Sequence, residues 1–206
     1  MRYVITQNYT AQQQELFNLT APVNQAYAAA NGYEFITSDV SRCPDRAPYW
    51  EKIAWLNELL PTLPDGTFVM FQDCDSIDVT GDPKTALPAG YELGMVHLLG
   101  GLSGTQLRGW YNSGVIMMIN SIDVRNFFTN TWNRNGSNDE KAMNAEFKSL
   151  NGNMGNGKPI YDLPNEWNVW HNNINVAKTI NIRTFHGMKY ADKLVAIKNY
   201  LSQKTT

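Results

Sequence analysis

Asp73 and Asp75 close an apolar run, "FVMFQDCD", and two like charges so close together each disfavour the other's ionised form. In an extended segment residues i and i+2 face the same side, so the two carboxylates converge while Cys74 turns towards packing. Two converging hard oxygen donors suit Mg²⁺ or Mn²⁺, and such a site is normally completed by substrate phosphates and water. The pair therefore points to a phosphorylated ligand. A phosphatase nucleophile and a plain acidic turn after a core strand use the same residue types and stay open on the motif alone.

Composition limits what the pair can belong to. The 206 residues, 43% hydrophobic and 17% charged, suit one domain that buries roughly 70% of the surface its unfolded chain exposes. A net charge of −2 with scattered basic residues lacks the basic stripe of a nucleic-acid binder, so no nucleic-acid partner is expected. Cys43 and Cys74 form no CxxC pair and fit a reduced compartment, with a single disulfide as the alternative. The opening "MRYVITQNYT" leads straight into a strand-like run, and nowhere do about 18 apolar residues follow one another. A soluble cytoplasmic chain without a membrane segment is expected.

The elements that must position the aspartates alternate. Strands are expected at 2–6, 33–39 and 67–72, with helices between them. Thr10 caps the first helical stretch, Pro22 starts a second that stops at Asn31-Gly32, and a third runs over about 49–60 until Pro61. Further strands are read at 91–99 and 113–120, and helices from Ser121, over about 138–150, and at 189–201. This order predicts a three-layer α/β domain around a mostly parallel sheet, with ligands outside the carboxyl ends of its strands. Asp73 and Asp75 sit at such an end.

The second half adds "YNSGVIMMINS", "DEKAMN", "LPNEWNV" and "FHGMK" in that order after "DCD". The ordered set, over about residues 2–190, resembles the GT-A fold nucleotide-sugar glycosyltransferases, most closely retaining families 8 and 34. A looser similarity is to small viral glycosyltransferase domains. The resemblance implies a single GT-A, Rossmann-like domain over 1–206. It implies transfer of a sugar from a nucleoside diphosphate donor, read as UDP, to a hydroxyl on a glycan or glycoprotein, with retention and with Mn²⁺ or Mg²⁺ as cofactor.

Residue by residue, the resemblance implies that Asp73 and Asp75 bind the metal and that the terminal H-x-x-G-x-K element supplies the third ligand. In direct register Thr184 holds that ligand position. His186, two residues later, is chosen because imidazole binds transition metals and a threonine hydroxyl is a poor ligand. Gly187 and Lys189 then cradle the diphosphate. Asn112, Ser113 and Gly114 match an element near the donor sugar, and Asp139, Glu140 and Asn144 fall on a helix whose first two residues approach the anomeric carbon. Glu140 stands where the family has glutamine, so a carboxylate there could act as nucleophile or stabilise an oxocarbenium ion. A capping box from Ser137 to Glu140 explains the same acids structurally. Trp167 and Asn168 shape the pocket in the family, with plain core packing as the alternative for Trp167. Thr6, Asn8 and Tyr9 end the first strand, where these enzymes hold base and ribose. Lys52 either neutralises the aspartates or phosphates or lies on a solvated helix face. Trp110 and Tyr111 either stack on an acceptor sugar or are packed. Two rival functions are a phosphatase of the haloacid dehalogenase type, whose motif usually ends the first strand, and a binding module that has lost transfer.

Overall fold

The β-branched and aromatic runs form the middle of the molecule in a computed structural model that describes residues 1–78, 80–98, 110–134, 138–150, 157–170, 180–185 and 188–204. The strands are β1 (Tyr3–Asn8), β2 (Glu34–Ser38), β3 (Phe68–Gln72), β4 (Ser76–Asp78), β5 (Leu93–Leu98), β6 (Trp110–Ile119), β7 (Tyr161–Leu163), β8 (Val169–Trp170) and β9 (Ile182–Thr184). The helices are α1 (Gln14–Ala30), α2 (Glu51–Leu59), α3 (Pro83–Ala86), α4 (Ile122–Asn133), α5 (Asp139–Ser149) and α6 (Tyr190–Lys204). Six strands form the central sheet in the order β2-β1-β3-β6-β5-β7, and β4-β9-β8 form a smaller one. In the central sheet β6 alone runs against its neighbours, so the expected mostly parallel α/β architecture is present.

Alternation along the strands divides the core. Val4, Val69 and Phe71 face α2, α4 and α5 through Ile53, Leu56, Phe127, Phe128 and Met143. Ile5, Met70 and Met117 face the other way, towards Ala28 of α1, Trp167 and Ile182. A third cluster joins Leu16 of α1, Cys74, Ile77, Phe185 and Ile197 of α6, and both cysteines are buried free thiols. Among the described residues no helix is long and apolar enough to cross a membrane.

Three differences from the sequence reading have physical causes. α1 runs unbroken through Pro22, which is exposed, while the buried face continues across it through Leu16, Thr20, Asn24 and Ala28. A proline removes one intrahelical bond, and packing on both sides of it holds the helix together. β4, β7, β8 and β9 are two or three residues long, too short to show a period of two. β6 also departs from its ladder: Met95 pairs with Ile116 but Val96 with Asn112, so Ser113, Gly114 and Val115 bulge away from β5. The bulge is held by β3, where Val115 pairs with Gln72 and the Asp73 amide donates to the Gly114 carbonyl at 2.9 Å.

A polar layer lies between the two sheets. Asp78 of β4 is 4% exposed and accepts from Gln72 Nε2 at 3.1 Å. Burial pushes its carboxyl up to about 7, and the Gln72 bond opposes that rise only in part. With the folded value above the unfolded one, the folded state binds the proton more tightly. The resulting stabilisation is full below about pH 4 and is lost as pH rises to about 7. Asp78→Asn should flatten that slope and make the variant more stable than wild type by about 1 to 3 kcal/mol at pH 8. Urea unfolding at pH 5 and pH 8 measures both effects.

Candidate active site

β3 ends at Gln72 because the chain turns there, with the Ser76 amide donating to the Asp73 carbonyl at 3.0 Å. The turn sends Cys74 into the third apolar cluster and leaves Asp73 and Asp75 on one cavity of about 370 Å³. That volume is in the range of small-molecule sites. Both aspartates line the cavity and Cys74 is buried, but the segment is a turn and not the extended strand end from which the spacing argument started.

Lys52 of α2 enters from one side, 7% exposed, with Nζ 2.7 Å from Asp73 and 3.3 Å from Asp139. The same ammonium donates to Ser113 Oγ at 3.1 Å, and that hydroxyl donates to Asp139 Oδ2 at 2.7 Å. Burial alone would lower the pKa of Lys52, but Asp73 and Asp139 outweigh it and hold the group above its ordinary value. Its alternative as a solvated face is excluded. Lys193 of α6 enters from the opposite element, 2.5 Å from Asp75 Oδ2, and Asp75 likewise outweighs burial to raise its pKa. Four carboxylates, those of Asp73, Asp75, Asp139 and Glu140, and two ammonium groups line the cavity, an excess of two negative charges among the described residues. Asp75 Oδ1 is buried with no hydrogen-bond partner among them.

The bulge and α5 supply the opposite wall. Asn138, not Ser137, caps α5 by accepting from the Lys141 amide at 2.7 Å, so Glu140 is free of a capping box. Ser137 lies outside the described residues. Glu140 Oε1 instead accepts from Asn112 Nδ2 at 2.9 Å. Asn112 Oδ1 accepts from the Gly114 amide at 2.8 Å and from Asn168 Nδ2. Asn144 fixes the start of the bulge by accepting from the Tyr111 amide at 2.8 Å and donating to its carbonyl at 2.9 Å.

Of the residues expected at the site, Asn8, Lys52, Asp73, Asp75, Ser113, Asp139 and Glu140 line the cavity. Asn112 and Asn168 are buried behind it and position Glu140. Thr6, expected to offer its backbone, is not on the cavity wall: it is paired with Ile36 of β2 and Phe71 of β3, and its hydroxyl donates to Ile36 O at 2.7 Å and accepts from Trp55 Nε1 at 2.9 Å. The Tyr9 ring is stacked on Phe17, with centroids 3.8 Å apart. Trp167 belongs to the core, and Tyr111 is packed with its hydroxyl on Asp162. Thr184 is 1% exposed within β9, and its hydroxyl donates to the Val169 carbonyl at 3.5 Å. Lys189 is exposed and off the cavity wall, whereas Lys193, four residues later, lines it. His186 and Gly187, and the Trp110 side chain, lie outside the described residues. Among the described residues no three His, Cys, Asp or Glu side chains form a metal-binding group. Sequence reasoning missed Gln13, Tyr49 and Lys193. A signal for Lys193 was present in its place on the inner face of the last helix, opposite an acidic turn.

No protein-family model matches the chain, and no curated protein matches it. Solved structures do share its fold. A glycosyltransferase involved in glycosylating the major capsid of PBCV-1 superposes with a TM-score of 0.75 at 11% identity, covering 97% of this chain and 100% of that one. The galactosyltransferase LgtC, solved with donor and acceptor sugar analogues, gives 0.60 at 13% identity over 95% of each chain. The glycosyltransferase GlyE of Streptococcus pneumoniae gives 0.57 at 11% identity, covering 98% of this chain and 65% of that one. The chain has the GT-A fold of these proteins.

A methyl group at Gly114 would lie 2.8 Å from Asn112 Oδ1 and 3.3 Å from Asn168 Nδ2. Gly114→Ala should therefore separate that pair and lower stability by about 1 to 3 kcal/mol. Thermal unfolding checks this, the loss coming from crowding alone because Gly114 does not have a left-handed φ.

Proposed function

We propose that the chain is a metal-dependent glycosyltransferase that moves a sugar from a nucleoside diphosphate, read as UDP, to a hydroxyl of a glycan or glycoprotein with retention. The observation that carries this reading is the excess of two negative charges among the described residues that line the cavity around the Asp73–Asp75 turn, beside a buried Asp75 Oδ1 with no hydrogen-bond partner among them. That excess and that oxygen fit one divalent cation, Mn²⁺ or Mg²⁺. The fold's occurrence in glycosyltransferases, one of them solved with donor and acceptor sugar analogues, supports the choice of substrate.

Asp73 and Asp75 would hold the ion, with His186 as the expected third ligand. When bound, the ion neutralises charge on the leaving diphosphate. The chain's own residues do the rest. Lys193, beside Asp75, presents a point charge to a phosphate, the task earlier expected of Lys189. Lys52 pairs with Asp73 and Asp139 and orients both. Asp139 is thereby committed to Lys52 and Ser113, so Glu140, fixed by Asn112, is the carboxylate that faces the sugar and stabilises positive charge at its anomeric carbon. Retention follows when the departing phosphate oxygen takes the proton of an acceptor hydroxyl on the same face.

The test is UDP release from a panel of UDP-sugars with Mn²⁺ or with excess EDTA. Turnover should need the metal and fall at least about 100-fold in Asp75→Ala. Lys193→Ala should lower kcat/KM by about 100-fold, whereas Lys189→Ala should stay within about twofold of wild type. Full turnover in EDTA, or phosphate release from an aryl phosphate with no UDP-sugar turnover, contradicts the reading.

A further inference from the structure

The turn that carries the two aspartates lies between β3 and β4, and main-chain bonds cover only part of it: the Asp73 carbonyl accepts from the Ser76 amide at 3.0 Å and the Asp75 carbonyl from the Phe185 amide at 3.2 Å. Side chains from two other elements add to them. Thr20 Oγ1 donates to the Cys74 carbonyl at 2.7 Å, and Asn24 Nδ2 donates to the Ser76 carbonyl at 2.9 Å. Asn24 Oδ1 accepts from the Asp78 amide at 2.9 Å, so one carboxamide closes both ends of β4. From β1, Gln7 Nε2 donates to the Asp73 carbonyl at 3.0 Å. Thr20, Asn24 and Gln7 are each 0% exposed.

A buried polar side chain inside a helix is costly to fold unless its bonds are made, and Thr20 and Asn24 stand four residues apart on the same face of α1. Their bonds run to the backbone of the aspartate turn and onward into β4, not to the cavity. We infer that Thr20, Asn24 and Gln7 are positioning residues that set the spacing of the Asp73 and Asp75 carboxylates, and hence the affinity of this site for a divalent cation. The inference rests on the metal reading above and extends it to residues that touch neither metal nor substrate. Backbone clamps of this kind act on metal affinity as other outer partners of metal ligands do, by tenfold or more.

Titration of the full chain with Mn²⁺ alone, followed by the electron paramagnetic resonance of the free ion, tests this. Thr20→Val keeps the shape and removes the donor, and should weaken Mn²⁺ binding about tenfold, while Thr20→Ser should stay within about twofold of wild type. In metal-free protein, amide exchange at Cys74–Ser76 should quicken in Thr20→Val and not in Thr20→Ser. Gln7→Met removes a clamp from a different element, should weaken Mn²⁺ binding in the same way, and decides the matter if Thr20→Val does not fold. Wild-type affinity in both Thr20→Val and Gln7→Met, or equal weakening in Thr20→Val and Thr20→Ser, overturns the inference. A wild-type protein that binds no Mn²⁺ overturns the metal reading first and the inference with it, a failure seen before any variant is compared.

Discussion

The site depends on one buried ammonium group. Lys52 brings its charge to a place almost closed to water, where an isolated cation would lose its proton. It stays charged because Asp73 and Asp139 flank it, at 2.7 and 3.3 Å from Nζ. The three groups come from α2, the β3 turn and α5, elements far apart in the chain that share one face of the central sheet or its end. Breaking such a buried set leaves an uncompensated charge, which makes it a poor contributor to stability but a strong constraint on geometry. The packing of α2 and α5 is thereby tied to the position of Asp73.

Local irregularities convert that constraint into a usable surface. A regular β6 would continue its ladder with β5 and turn Ser113 away from Lys52. The three-residue bulge instead leans on β3, brings the Ser113 hydroxyl between Lys52 and Asp139, and aims Asn112 at Glu140. Glycine at position 114 is what lets Asn112 and Asn168 meet across the backbone. On the other side, α6 closes the circle by carrying Lys193 to Asp75. Two lysines from different helices thus each pair with one oxygen of one aspartate, and Asp75 Oδ1 is left buried with no hydrogen-bond partner among the described residues.

Much of this was legible in the residues, for reasons that differ by element. The long strands and helices carry apolar periods of two or 3.6, and β1, β2, β3, β5, β6 and α2, α4, α5, α6 fall close to where those periods place them. Asp73 and Asp75 were legible as neighbours at the end of an apolar run, although a turn and not an extended segment brings both to the cavity. Pro22 misled because packing on either side of a proline is not visible in local sequence. Thr6, Tyr9 and Trp167 were placed at the cavity by likeness, and each is instead claimed by a neighbour: Ile36 and Trp55, Phe17, and the apolar core respectively. Lys189 immediately precedes α6 and Lys193 lies in its first turn, and the docking of that helix against Leu16 and Phe185 decides which of them faces inward. The capping of α5 turned on a choice between Ser137 and Asn138, adjacent residues with the same propensity.

The account's central claim is that the carboxylate pair holds a divalent cation through which a nucleoside diphosphate is bound. Calorimetric titration of UDP into the protein, with Mn²⁺ and after its removal by chelation, tests that claim most directly. The account predicts binding at least about tenfold tighter with Mn²⁺, a difference of about 1.4 kcal/mol or more. Equal affinity with and without the metal would contradict it.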